Sequence, residues 1–489
     1  MILQYIQSPK LLSFIHVLNR FYRSNFYIFF IGLLTVLSEI FGWELPVYYL
    51  YVILGGVIPL FFCEDMISII APFSFGYFTV SLKHQNVNEG VGVTLFTSEF
   101  MIHLWILIAL IALCFITRFI FDYKKGKRIH ASKNMLGFLI LALTFIPGGL
   151  FTEKYGIHSI LFGLGVVASF AIPYFSAYFL VDFEKEKKDY FARVLVGAGF
   201  VLIAEVLFAY FSHFDAILDG TFSGEMVRTG WGVKNNVGAM MVFTLPAPIY
   251  LALKHKRPFF YLGLNLLFFL STMICQSRNA ALVAVIGEMI LLVYFFIKTK
   301  YRLLSLVTIL FFVLLFVACA FLFSNLVSKM FDSLIWTLQN FSIEILASGR
   351  FDVYQCALDN FKTSPIFGTS FIEEPVGIGA PPDYFLTDII PARYHDTYLQ
   401  LLSSTGIIGL IGYLYHRYVT LVPFFQHKTS EKWLYFFEIL VMIGVSVFDC
   451  HFFNIGPGII YGLALCHLDQ VNQIDQKERY LFSFEKAMN

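Results

Sequence analysis

The feature that most constrains this 489-residue chain is a succession of apolar runs, each about 20 residues long and separated by short polar breaks. A bilayer core about 30 Å thick is crossed by about 20 helical residues rising 1.5 Å each, so each run reads as a membrane helix. Windows of that length open near residues 24, 46, 66, 99, 135, 158, 191, 235, 258, 279, 303, 396, 433 and 453. The second, third and last are short, so the expected count is about 12 to 14 spans. With 58% hydrophobic and 14% charged residues and a mean hydropathy of +0.73, a soluble globular class is excluded. The fold class expected is all-α, a polytopic helical bundle forming one integral membrane domain over residues 1–489, with the first apolar run acting as its own insertion signal.

Charge adds orientation rather than identity. The net charge of +1 gives no reason to expect a nucleic-acid partner. Lys124-Lys125-Gly126-Lys127-Arg128, Lys185 with Lys187 and Lys188, Lys254-His255-Lys256-Arg257 and Lys298-Thr299-Lys300-Tyr301-Arg302 all fall on one side of the threading. Short cytoplasmic loops are enriched in Lys and Arg, so that side is read as cytoplasm, with both termini inside. The seven cysteines show no paired spacing and mostly sit in apolar runs, where they serve as small hydrophobes rather than as a disulfide or zinc framework.

One long polar break interrupts the pattern, the outward loop at about 327–394. Between Ser328 and Phe361 its apolar residues recur as on amphipathic helices. Pro365 and Gly368 stop that pattern, and Pro375, Gly377, Gly379, Pro381 and Pro382 make the following stretch irregular. The loop closes on His395, at the lip of the next apolar helix, which carries Gly406, Gly409 and Gly412 at the spacing of a close helix-packing face.

Four outward residues carry the chemical argument: Arg228 before the helix that opens at Asn235-Asn236, Arg278 at a sharp turn between two apolar helices, Arg350 in the loop, and His395. Outward arginines at helix ends run against the charge rule and call for anionic partners. Guanidinium forks match phosphate oxygens bidentately, so three of them suit a lipid diphosphate held as leaving group. A neutral imidazole beside them suits removal of a proton from an attacking sugar hydroxyl. Such a site needs neither metal nor cofactor. Plainer readings stand beside it: each arginine could equally pair with Asp215, Asp219, Asp352 or Asp388, and a lone interfacial histidine is more often structural. His213 and His451 also face outward.

Arg228 with Asn235, then Ser277-Arg278-Asn279-Ala280-Ala281, then Gly349-Arg350 leading to Pro365-Ile366-Phe367-Gly368, and finally His395-Asp396-Thr397-Tyr398-Leu399 with Thr405-Gly406-Ile407-Ile408-Gly409, resemble in order and spacing the O-antigen ligase and Wzy-type polymerase superfamily. The resemblance covers roughly residues 225–415. It implies a GT-C-type glycosyltransferase of the bacterial cytoplasmic membrane, acting on its outer face on undecaprenyl diphosphate-linked glycans. By the same resemblance Arg228 and Arg278 engage the diphosphate, Arg350 belongs to the same set, and His395 activates the acceptor. Asp396 stands where the family often has asparagine, and a carboxylate there would raise the basicity of a neighbouring histidine or bind acceptor sugar. The leading expectation is a polymerase of lipid-linked repeat units, with a ligase passing finished glycan to another acceptor as the alternative. A flippase or transporter is the second alternative. A chain-length regulator and a flippase are candidate partners.

Overall fold

The computed structural model describes residues 9–80, 85–86, 92–93, 98–124, 132–182, 189–219, 221–222, 226–230, 234–303, parts of 306–317, and 351–373, 390–391, 394–426 and 432–488. The described chain is a helical bundle, as expected. Its helices are α1 (Pro9–Tyr22), α2 (Asn25–Phe41), α3 (Glu44–Phe62), α4 (Ile67–Phe78), α5 (Ser98–Lys124), α6 (Lys133–Phe145), α7 (Ile157–Leu180), α8 (Tyr190–Ser212), α9 (Lys234–Lys254), α10 (Pro258–Ile274), α11 (Arg278–Lys298), α12 (Phe351–Thr363), α13 (Thr397–Gln426), α14 (Lys432–Phe448) and α15 (Ile455–Met488). A short helix Phe214–Leu218, a 3-10 turn His451–Phe453 and two short antiparallel ladders, Gln85–Asn86 with Gly92–Val93 and Ile372–Glu373 with Ile390–Pro391, lie between them.

Among the described residues, seven helices are long and apolar enough to cross a membrane, or eight if α1 and α2, bent by 63°, form one span. Several expected windows are shorter: α6 has 13 residues and α10 has 17, rises of about 20 and 26 Å. The window opening near residue 303 lies largely outside the described residues. Burial sorts the helices by position. In α9, 89% of the apolar window is buried, against 22% in α5 and 28% in α11, so α9 runs through the centre and the other two face lipid.

Broken backbone is repaired locally, as an apolar setting demands. In α3, Pro59 has no N–H to give the Gly55 carbonyl, the helix widens to a π turn over Ile53–Val57, and Ser68 Oγ donates to that carbonyl at 2.9 Å.

The largest break is in α13. Gly406 has φ +63° and ψ −158°, outside any helix. The peptide N–H groups of Ile407 and Ile408 donate to the Pro365 and Ile366 carbonyls (2.9 and 3.3 Å), while the Ser403 and Ser404 carbonyls accept from Thr369 and Ser370 (2.7 and 3.1 Å). The segment 365–370 is thus a strap that fills the break. The two halves fold back on each other. Tyr398 and Tyr413 would be about 22 Å apart along a continuous helix, yet their ring centroids are 5.7 Å apart. The expected single helix from 396 to 418 is therefore corrected: residues 397–405 run toward the strap, and residues 407–426 return through the bundle along α6. Gly412 packs on α6, where a Cβ would meet the Thr144 side chain, whereas Gly406 marks the break rather than a packing face.

In the long loop, α12 realises part of the expected amphipathic stretch and ends before Pro365. Ala357 of α12 packs with Tyr394 and Leu399, and Asn360 Nδ2 donates to the Tyr394 hydroxyl at 2.7 Å. Residues 318–350 and 374–389, including most of the expected irregular flap, lie outside the described residues.

Candidate active site

Doubling back at Gly406 leaves residues 394–396 at the foot of a short helix, facing the turn that joins α14 to α15. His395 sits there with φ +52°, a left-handed conformation uncommon for a residue with a side chain. Bonds on both sides hold it: the Tyr394 N–H donates to Gln400 Oε1 at 3.1 Å, and Asp396 Oδ1 accepts the Leu399 N–H at 2.7 Å, capping the helix. Burial pushes the Asp396 carboxyl above the usual range, against the pull of the Leu399 and Tyr398 N–H groups. Asp396 serves its own helix.

The carboxylate that meets His395 is Asp449, from the α14–α15 turn. Its Oδ1 lies 3.2 Å from His395 Nδ1 and accepts the Cys450 N–H at 2.8 Å, while Oδ2 accepts Asn235 Nδ2 at 2.9 Å. Thr397 Oγ1 ties the same turn to the start of α13 by donating to the Asp449 carbonyl at 3.2 Å. The His395 side chain is 38% exposed and that of Asp449 10%, so the ring is open to a substrate while its partner is shielded. An aspartate on Nδ1 selects the tautomer with the proton on that nitrogen and leaves Nε2 as the free base.

From Asp449 the network continues across the bundle. Asn235, at the start of α9, accepts from Ser277 Oγ at 3.1 Å. Ser277 is also the N-cap of α11, accepting the Ala280 N–H, so the next residue, Arg278, opens that helix with an exposed side chain. Its turn is fixed from behind. Gln276 has φ +56° and donates to the Tyr210 hydroxyl at 3.2 Å, which in turn donates to the Ile274 carbonyl at 2.7 Å.

A second arm leaves the neighbouring Asn236. Its Nδ2 lies 3.4 Å from the Tyr77 hydroxyl, and its Oδ1 accepts from Asn454 Nδ2 at 2.8 Å, with His451 Nδ1 3.2 Å from that same nitrogen. Arg228 belongs to this side. It lies in the segment 226–230, whose Gly230 has φ +53° and presses on the backbone of Tyr77 and Phe78, where any Cβ would collide. Arg228 is 4% exposed, unlike Arg278.

The structure therefore links His395, through Asp449 and Asn235, to Ser277, the residue beside Arg278. Gly230, two residues after Arg228, packs on the turn at Tyr77, whose hydroxyl lies 3.4 Å from Asn236 Nδ2. Arg350 lies outside the described residues. Asp449, Asn236 and Asn454 were not singled out in the sequence. For Asp449 a signal existed: a carboxylate at the end of an apolar run is costly and calls for a function.

Residues 263–414 match the profile of a family described as O-antigen ligase. The matched region contains Arg278, Arg350 and His395, while Arg228, Asn235 and Asp449 lie outside it. No curated protein matches the chain. Across residues 263–414 the chain is thus similar to the O-antigen ligase family, which supports the O-antigen ligase and Wzy-type superfamily that its sequence resembles.

Proposed function

We propose that this membrane enzyme of polysaccharide assembly is a glycosyltransferase that polymerises undecaprenyl diphosphate-linked repeat units, with His395 as general base. His395 Nε2 takes the proton of the acceptor hydroxyl as its oxygen attacks the anomeric carbon of the donor. The bond from that carbon to the diphosphate oxygen breaks, and the diphosphate leaves with the bonding pair. Arg278 meets the charge that grows on the leaving oxygens, with Arg228 and Arg350 as further diphosphate ligands and no metal required. Asp449 steadies the imidazolium formed. The reaction takes place on the outer face of the cytoplasmic membrane.

The observation that carries this reading is the hydrogen-bond chain His395–Asp449–Asn235–Ser277, which joins an accessible imidazole and its shielded carboxylate to the helix start bearing Arg278. Purified protein with a lipid-linked oligosaccharide tests it. His395→Ala should lower transfer by about 10²- to 10⁴-fold, Arg278→Ala by about 10²- to 10³-fold, and chelator should leave the rate unchanged. Full activity of either folded variant would remove its assigned role.

A ligase is the second reading, favoured by the description of the matched family. Deleting the gene separates the two: surface glycan reduced to a single repeat supports the polymerase, and intact polymer stranded on its lipid carrier supports the ligase.

A further inference from the structure

Asn236 follows the residue that donates to Asp449, and Asn454 stands between the His451–Phe453 turn and α15. Both are half-buried, and each amide is held from one side only. Asn454 Nδ2 lies 2.8 Å from Asn236 Oδ1 and 3.2 Å from His451 Nδ1, which turns its Oδ1 the other way. That oxygen accepts no hydrogen bond among the described residues. Asn236 Nδ2 directs one proton at the Tyr77 hydroxyl over a long 3.4 Å, and the other has no acceptor among the described residues. An open acceptor and an open donor thus stand side by side on two different elements.

Their frame is fixed. A Cβ at Gly456 would come within 2.9 Å of the Tyr77 ring, so the start of α15 lies on that ring. Gly230, two residues after Arg228, packs on the backbone of the same tyrosine. The amide pair is therefore joined on one side, through Asn235, to the carboxylate that meets His395, and on the other, through Tyr77, to the segment bearing Arg228.

We propose that Asn236 and Asn454 bind ring hydroxyl groups of the donor sugar that is bonded to the diphosphate, and so select which donor is transferred. The assignment rests on the function proposed above, in which that sugar has to bridge the base and the diphosphate ligands. The open atoms select the ligand. An ionised diphosphate offers acceptors alone and has nothing to give Asn454 Oδ1, whereas a hydroxyl both donates and accepts. Adjacent hydroxyls of one ring satisfy the pair together: one donates to Asn454 Oδ1 and its neighbour accepts from Asn236 Nδ2. A sugar without those hydroxyls leaves both amides unpaired, which is how a site built on hydrogen bonds rejects it.

Equilibrium binding to the purified full chain, without turnover, tests this with two probes: the lipid-linked oligosaccharide, and undecaprenyl diphosphate carrying no sugar. The wild type should hold the glycosylated carrier tighter by roughly tenfold or more. Asn236→Ala and Asn454→Ala should each shrink that margin by about fivefold, the loss of one hydrogen bond. Asn236→Asp should shrink it as much, because it keeps the shape and the oxygen that Asn454 uses but has no proton to give the sugar. The margin is a ratio of two carriers with the same diphosphate, so the added charge cancels from it. Equal affinity of the wild type for the two carriers, or a margin untouched by Asn236→Asp, would overturn the proposal and leave the diphosphate reading standing. A wild type that fails to hold the bare carrier overturns both. Weakening confined to carrier-free oligosaccharide would assign the amides to the acceptor, which overturns the proposal as well.

Discussion

At the scale of single residues, two neighbouring carboxylates divide the work around His395. Asp396 Oδ1 accepts the Leu399 N–H, a cap that any side-chain oxygen at that position can supply, while Asp449 Oδ1 touches the imidazole itself. Asp449→Asn should therefore lower kcat by about 10²-fold or more, with the KM for donor lipid unchanged, because an amide can hold the ring in the wrong tautomer. Asp396→Asn should leave both constants near wild type. Asp396→Ala should destabilise the start of α13 by about 1 kcal/mol, read as a lower unfolding temperature. Steady-state kinetics with a lipid-linked donor distinguish the two roles, and equal damage from both asparagine variants would dissolve the division. His395 and Arg278 were legible in the sequence because an imidazole and a guanidinium stand out at the ends of apolar runs. Asp449 was not, because its place beside His395 is a contact across 54 residues that no local spacing encodes. Proximity in the chain favoured Asp396 for that part, and the capping bond shows why the nearer carboxylate is occupied elsewhere.

At the scale of elements, the position of His395 depends on the strap in the broken helix. A glycine inside an apolar run can equally mean close helix packing or a backbone turn, and both uses occur within six residues: Gly412 lies against Thr144, while Gly406 takes a positive φ. Composition cannot separate them, since the turn requires the carbonyls and N–H groups of residues 365–370 to arrive from elsewhere. Gly368 matches Gly406 across the junction, with φ +69° and a Cβ position 2.4 Å from the Ser404 carbonyl carbon. Alanine at either site forces a disfavoured φ, costing about 1–3 kcal/mol, and adds a collision with backbone. Gly406→Ala and Gly368→Ala should each lower the unfolding temperature and the transfer rate. Because both open the same junction, the double variant should lose less than the sum of the single losses. A double-mutant cycle on unfolding in detergent measures that coupling. Simple additivity would mean that strap and break are independent, and that the strap does not hold His395 in place.

At the scale of the whole molecule, the proposed chemistry requires that the end bearing His395 face away from the cytoplasm. The sequence argues for this through its basic clusters, since Lys254 to Arg257 and Lys298 to Arg302 collect at the opposite end of α9 and α11. That argument rests on the number of crossings, which is hard to read where helices are short or fold back, as α4, α6 and α13 do. A native probe decides it without counting helices. Cys356 is an exposed thiol on α12, the helix that packs on residues 394–399, whereas Cys63, Cys114, Cys275, Cys450 and Cys466 are buried. In a Cys319→Ser background, which removes the cysteine outside the described residues, a membrane-impermeant maleimide should label the protein in spheroplasts with intact membranes. Cys356→Ser should abolish the signal. Labelling that appears only after the membrane is opened would put α12, and with it His395, on the cytoplasmic side. A lipid-linked donor presented on the outer face would then lie one membrane thickness from its base, and extracellular glycan transfer by this site would be ruled out however well His395, Asp449 and Arg278 converge.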